Sequence, residues 1–327
     1  MEDTIIDRRT EAAAHAGDIR RLLIADFLAS QVATRLGAVC PDIETRVVPE
    51  GPLSEDDLAW ADAFSGFQLP GNIDHAQIVW VHAMSAGVDA IASTLRTLPR
   101  PILLTRTVGD MPRKMGLFVL AHVLADAHHL DEYREAQANR EWRRLDTPRM
   151  DGAVAAILGT GGIGAGVAEA LQGAGFVTCG VNRSGHAHPA FSRTAAAAEP
   201  GAVPRETAVL VNTLPLTPET ENSIGRSIFS RLQNALFINV GRGASVVMDD
   251  LRQALETGHL RHAVLDVLPF EPPPADAWYW SHPRVTLTPH IAAVTDAEDV
   301  VRALSAALDD LRAGRVPGTA VDLTRGY

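Results

Sequence analysis

Apolar residues fall in short runs, separated by stretches with helical spacing, along most of the 327-residue chain. Leu22–Asp26 predicts a first strand, Ser30 to Leu36 a helix, and Thr45–Val48, Ile78–Val81 and Ile102–Thr105 three more strands. From about Pro112 to Glu141 the positions Met115, Leu117, Phe118, Leu120, Ala121, Val123 and Leu124 predict one long, largely buried helix. A second series opens near Met150 with strand Ala153–Leu158, turn Gly159–Gly164, helix Ala165–Gln172 and strand Phe176–Val181. Strands Ala208–Thr213, Leu236–Val240, Ala263–Val267 and Val285–Thr288 follow, and a last helix from about Asp296 to Ala313 stops at Gly314. Strands alternating with helices predict an α/β fold with parallel sheets. We expect two lobes, residues 19–111 with 291–327 and residues 112–290, with the C-terminal helix crossing back to the first lobe. Residues 1–18 are polar and predict a loose tail.

Composition narrows the function. No apolar run approaches the roughly 20 residues of a membrane span, and the acidic N-terminus lacks the apolar core of a secretory signal. Two cysteines, Cys40 and Cys179, make neither a disulfide framework nor a metal spacing, and a reducing cytoplasm is expected. A net charge of −11 argues against a nucleic-acid partner. An anionic substrate would need local cations or backbone amides.

Gly159-Thr160-Gly161-Gly162-Ile163-Gly164 fits G-x-G-x-x-G, with a predicted strand before it and a helix after it. That context predicts a dinucleotide site, its pyrophosphate on the helix N-terminus. At the end of the next strand an NAD-preferring site carries an acid; here stands Asn182-Arg183-Ser184. Arg183 suits a 2′-phosphate, so NADP(H) is expected to be favoured over NAD(H). The plainer reading of Arg183 is a solvated surface arginine.

Three further strand ends carry chemistry. Leu236–Val240 runs into Gly241-Arg242-Gly243, Ala263–Val267 into Leu268-Pro269-Phe270-Glu271, and Val285–Thr288 into Pro289-His290. Reduction of a 2-oxo acid needs a cation for the carboxylate and keto oxygen, a proton donor, and a group that keeps the donor ready. Arg242 suits the first role. His290 suits the second, since an unperturbed imidazole titrates at about 6.5, and Glu271 suits the third. Taken singly, each also reads as a surface or loop residue; together, all follow strands on the side of the glycine turn.

Ile157–Gly164, Leu214–Thr217 with Pro218-Glu219-Thr220, Asn239–Gly243, Leu265–Glu271 with Pro272, and Thr288–Ala292 come in the order and spacing of one family. By these motifs the second half of the chain resembles the D-isomer-specific 2-hydroxyacid dehydrogenases. His282-Pro283-Arg284-Val285 and the ending Arg325-Gly326-Tyr327 resemble its glyoxylate/hydroxypyruvate reductase branch. The resemblance implies a Rossmann dinucleotide-binding domain and a flavodoxin-like substrate domain, with a cleft between them. It implies NAD(P)H-dependent reduction of a small 2-oxo acid such as glyoxylate or hydroxypyruvate, with Arg242, Glu271 and His290 as the catalytic triad. It further implies cofactor contacts from the glycine turn, Asn182, Arg183, Ser184, Leu214, Pro215, Thr220, Val240, Gly241, Asp266, His290 and Ala292. Ala86 and Gly87, in the loop Ser85–Asp89, would hold the substrate carboxylate with Arg242 and His290. A homodimer is implied too, with the Pro112–Glu141 helix suited to the contact; Trp142 resembles a tryptophan lent to a partner's site, the plainer reading being a buried interface residue.

Between Arg106 and His122 the family pattern is poorly kept, and Arg106, Arg113 and Lys114 are unexpected charges, so the substrate is not named by the sequence. Two other readings compete: a non-catalytic dinucleotide-sensing protein on the same scaffold, and another glycine-turn enzyme such as a methyltransferase. The Asn239–Gly243 and Thr288–Ala292 motifs count against the second.

Overall fold

A computed structural model describes residues 18–324; the tail expected at 1–18, apart from Asp18, and the ending Arg325-Gly326-Tyr327 lie outside the described residues. The described chain forms two compact units, residues 18–110 with 295–324, and Met111–Val294.

In the first unit, β1 (Arg21–Ala25), β2 (Glu44–Val48), β3 (Ala63–Gly66), β4 (Trp80–Ala83) and β5 (Leu103–Arg106) form a parallel sheet ordered β2-β1-β3-β4-β5. That is the flavodoxin-like order. Successive residues of β1 feed opposite layers: Leu22 and Ile24 pack in one cluster, Leu23 and Ala25 in the other. Helix α1 (Ala29–Val39) covers the first face, α2 (Glu55–Trp60) follows β2, and α3 (Asp89–Arg96) covers the second face. The C-terminal helix, Ala297–Arg312, packs with α1 in the first cluster, so the end of the chain does return to this unit. Asp296 caps it by accepting from the Asp299 amide.

The strand expected at Ile78–Val81 lies at Trp80–Ala83, and β3 is an addition. β3 reads Ala-Phe-Ser-Gly, every residue buried, so it shows no alternation of polar and apolar positions. Behind β4 and β5 runs a buried polar chain. Trp80 Nε1 donates to Thr105 Oγ1 at 2.9 Å, and His82 Nδ1 lies 2.7 Å from the same oxygen. With the Thr105 hydroxyl donating to Nδ1, His82 keeps its proton on Nε2 for Thr107 Oγ1 at 3.0 Å. Burial pushes the His82 imidazole down to about 3, so it is neutral at any ordinary pH.

In the second unit, β6 (Val154–Leu158), β7 (Val177–Asn182), β8 (Arg193–Ala196), β9 (Thr207–Asn212), β10 (Ala235–Asn239), β11 (Leu260–Leu265) and β12 (Val285–Leu287) form a parallel sheet. Its order is β12-β11-β10-β9-β6-β7-β8, the doubly wound Rossmann order with one added strand. Ala155 and Ile157 of β6 face one layer, and Ala156 and Leu158 the other. The expected Pro112–Glu141 helix is two helices, α4 (Met111–Ala127) and α5 (Leu130–Ala138). The break falls at His129, whose backbone is left-handed at φ 53°, with its ring against Glu132 and Asp146 O. Helix α6 (Gly162–Gly173) follows β6, α7 (Arg226–Phe229) precedes β10, and α8 (Met248–Glu256) precedes β11. The return helix Ala297–Arg312 is α9.

Candidate active site

The strand order of the seven-stranded sheet reverses between β6 and β9, and ligands of such sheets bind beyond the carboxyl ends at that point. The glycine turn sits there. Gly159 has φ 100°, and a Cβ on it would stand 2.8 Å from Thr213 Oγ1, just past β9. A Cβ on Gly164 would lie 2.0 Å from Gly159 O, so only hydrogen lets α6 seat on the turn. Gly161 and Gly162 face open space, with no atom within 4 Å of an added Cβ. Two glycines thus close the turn, and the middle pair leaves room at the N-terminus of α6 for a pyrophosphate. Thr160 and Ile163 complete the turn.

Asn182 ends β7 and folds the following loop onto itself. Its Oδ1 accepts from the amides of Ser184 at 3.1 Å and Gly185 at 2.6 Å. Its Nδ2 donates to Thr160 Oγ1 and to His186 O. Arg183 and Ser184 project from this loop and are exposed. Glu219 has its carboxyl held below the usual range by the Thr217 hydroxyl and its own backbone amide, with the Arg183 charge adding to this. In the loop after β9, Thr220 Oγ1 donates to Pro215 O at 2.6 Å and accepts from the Thr217 amide at 2.8 Å, while the Leu214 amide donates to Asn212 Oδ1 at 3.0 Å.

The structure brings Glu271 and His290 together. Glu271 Oε2 lies 2.8 Å from His290 Nδ1, and its Oε1 accepts from the Leu268 amide at 2.8 Å. The carboxylate is therefore fixed at both oxygens, and Nδ1–H donating to it leaves Nε2 to face outward. His290 itself has a left-handed backbone at φ 56°, uncommon for a residue with a side chain. Asp266 holds it there. The Asp266 carbonyl accepts from the His290 amide, and its buried carboxylate accepts from Thr288 Oγ1, Ile291 N and Ala292 N at 2.6 to 2.9 Å. Asp266 thus anchors the whole 288–292 turn.

Arg242 leaves β10 after Val240 and Gly241, and its Nη1 donates to Gly241 O at 2.7 Å. A Cβ on Gly243 would overlap Leu268, 1.9 Å from its carbonyl carbon, so the arginine loop packs directly on the segment leading to Glu271. Beneath it lies a network that sequence reasoning did not find. Buried Asn212 donates through Nδ2 to Asn239 Oδ1 and Ser245 Oγ, both at 2.8 Å. Asn239 Nδ2 and Ser245 Oγ both donate to Arg242 O. One set of amides thus ties the Leu214 loop to the arginine loop. The available signal was two asparagines ending otherwise apolar strands, since buried amides must find partners.

In the first unit, Ser85 Oγ donates to Gly87 O at 2.7 Å and Arg106 Nη1 to Ala86 O at 3.1 Å, bracing the Ser85–Asp89 loop. Lys114, in the second unit, donates to Val294 O at 3.1 Å. Trp142 is fully exposed.

These features have counterparts among known proteins. A model of the D-isomer specific 2-hydroxyacid dehydrogenase, NAD binding domain, matches residues 120–292. Glyoxylate/hydroxypyruvate reductase A of Serratia proteamaculans is 39% identical over 254 residues, 76% of this chain and 81% of the relative. An uncharacterized protein of the mprR 3′ region of Streptomyces coelicolor is 38% identical over 281 residues, 85% of this chain and 99% of that one. The D-isomer specific 2-hydroxyacid dehydrogenase of Xanthobacter autotrophicus, solved with NADPH and MES, matches with TM-score 0.84 at 27% identity, over 94% of this chain and 100% of that one. The NADPH-dependent glyoxylate/hydroxypyruvate reductase of Sinorhizobium meliloti, solved with NADP and sulfate, gives TM-score 0.83, again at 27% identity and with the same coverage. The chain belongs to the D-isomer specific 2-hydroxyacid dehydrogenase family. Within it, the chain falls in the glyoxylate/hydroxypyruvate reductase A branch and is a nicotinamide-dinucleotide-dependent oxidoreductase that reduces a 2-oxo acid.

Proposed function

We propose that the protein reduces glyoxylate and hydroxypyruvate with NADPH, using His290 as proton donor, Glu271 as the group that orients it and Arg242 as the cation for the substrate. The observation that carries this reading is the 2.8 Å contact between His290 and a Glu271 carboxylate fixed at both oxygens. Such a pair sets the ring's orientation and tautomer, so Nε2 is the nitrogen that delivers the proton to the keto oxygen. The fork of Arg242 suits a carboxylate and the neighbouring oxygen. The family resemblance assigns the backbone amides of Ala86 and Gly87, in a loop braced by Arg106, to the substrate carboxylate. This would let a protein of net charge −11 hold an anion. Small products fit the relatives' names, and a new stereocentre would be of D configuration.

The cofactor's pyrophosphate would lie on residues 159–164. Thr160, Asn182, Leu214, Pro215, Thr220, Val240, Gly241, Asp266 and Ala292 shape the rest of its seat, Asp266 through the turn it anchors. A bound nicotinamide supplies the hydride. Arg183 and Ser184 favour NADPH, because no carboxylate stands at the end of β7 to take a ribose 2′-hydroxyl. A homodimer through the α4–α5 region is supported by the exposure of Leu117, Leu130 and Trp142. No helix among the described residues is long and apolar enough to cross a membrane. Cys40 and Cys179, both free and buried, suit a reducing compartment such as the cytoplasm.

The test is oxidation of NADPH over 2-oxo acids of increasing side-chain size, repeated with NADH. The expected result is highest kcat/KM for glyoxylate or hydroxypyruvate, falling with bulk, and lower values with NADH. Higher kcat/KM for a bulky 2-oxo acid than for glyoxylate and hydroxypyruvate, or equal values with NADH and NADPH, would overturn the reading.

A further inference from the structure

The seven-stranded sheet has a second feature that the reductase chemistry does not use. A cavity of about 370 Å³ is lined by Cys179, Arg193, Gly201, Arg205, Glu206 and Arg231, among others. Arg193 opens β8 opposite Cys179, three residues before Asn182 on β7, which is roughly 10 Å along a strand. Residues 201–206 lead into the amino end of β9. The cavity therefore lies toward the amino ends of these strands, whereas the glycine turn, Arg183, Arg242 and His290 all follow carboxyl ends.

Three guanidinium groups meet one carboxylate in this cavity. Glu206 is taken by Arg193, at 3.2 Å. Arg205 is exposed, and neither it nor Arg231 has an ion-pair partner among the described residues. Arg231 Nε is buried and has no hydrogen-bond acceptor, one of only two such side-chain atoms among the described residues. A buried N–H without an acceptor is costly, and native structures rarely keep one without a use. The Arg231 guanidinium also lies over Gly201: a Cβ there would come 3.2 Å from Nη2, and Gly201 is left-handed at φ 92°. Absence of a side chain at 201 keeps the fork's edge clear. Two unpaired planar forks at one small cavity match the oxygens of a phosphate or a carboxylate.

We infer that this cavity is a second anion site, distinct from the dinucleotide seat, in which Arg231 and Arg205 bind a small oxyanionic group, a phosphate or a dicarboxylate. The inference does not depend on the reductase assignment. It is tested by calorimetric titration of inorganic phosphate, and separately of malonate, into NADPH-saturated protein. Three variants accompany the wild type: Arg205→Gln, Arg231→Gln, and Arg242→Gln, which removes the cation assigned to substrate. The expected result is saturable binding that weakens about tenfold or more in either cavity variant and persists in Arg242→Gln, which removes only binding at the substrate site. The tighter of the two anions then names the group bound. Should Arg231→Gln fail to fold, exposed Arg205→Gln carries the comparison. Absence of saturable binding with both anions, or binding that only Arg242→Gln weakens, overturns the inference.

Discussion

Replacing Glu271 with Gln removes a charge while keeping the shape, and the geometry around the carboxylate sets the cost. Glu271 accepts two hydrogen bonds, from His290 Nδ1 and from the Leu268 amide. A glutamine has one carbonyl oxygen, so one of these donors must face an NH2 group. If the Leu268 bond persists, His290 loses its orienting partner. A hydrogen bond to a charged group is worth about 1.5–3 kcal/mol. Lost only in the transition state, that is about 10- to 150-fold in kcat/KM. Stability should respond far less. His290 and Glu271 side chains are 54% and 37% exposed, so solvent screens the pair in the resting protein to about 1 kcal/mol or less. Steady-state kinetics with NADPH and glyoxylate, beside a urea melt, separates the two effects. An E271Q enzyme within threefold of wild-type kcat/KM, or one whose activity falls only because it unfolds, would refute the argument.

Three more outcomes are expected. Arg183→Ala should raise KM for NADPH about 10- to 150-fold by loss of a charge-assisted contact and leave KM for NADH nearly unchanged; parallel changes with both cofactors would return Arg183 to the solvated surface. Gly164→Ala places a methyl 2.0 Å from Gly159 O, so NADPH binding measured by fluorescence should weaken sharply and stability drop by about 1–3 kcal/mol, whereas a fully active variant would show that the turn yields cheaply. His82, held at about 3 in the fold, takes its proton near 6.5 when unfolded. Its contribution is intact above pH 6.5 and is lost as pH falls toward 3, on the order of 3 kcal/mol by pH 4.5; urea melts of wild type and His82→Gln across that range should differ in slope, and equal slopes would contradict the assignment.

What could be read from the sequence was what repeats locally. Strands β6 and β7 and the turn between them show as an apolar run, three spaced glycines and a helix, all within about 30 residues. Arg242, Glu271 and His290 were visible because each follows a strand and so must lie at the same edge of a parallel sheet. Less visible were elements without contrast. β3 is buried on all sides, and β8, Arg-Thr-Ala-Ala at the sheet edge, reads as a small-residue loop. The helix break at His129 rests on a backbone angle that nearby Leu130 and Tyr133 conceal. Longer-range polar bonds left the faintest trace. Asn212 meets Ser245 across 33 residues, and nothing near either asparagine distinguishes a buried amide that holds a loop from one that ends a strand. Asp266 shows the same limit: the family motif places it by the cofactor, and only the structure shows its carboxylate occupied by the 288–292 turn.

The central claim is that His290 delivers the proton, while the cofactor is held mainly by the other residues of its seat. The most direct measurement is single-turnover oxidation of NADPH by His290→Ala with glyoxylate, alongside NADPH titration of the same protein. The account predicts a rate lower by roughly 10²- to 10⁴-fold with NADPH affinity close to wild type. A variant that keeps most of its rate, or that loses NADPH binding in proportion to rate, would contradict it.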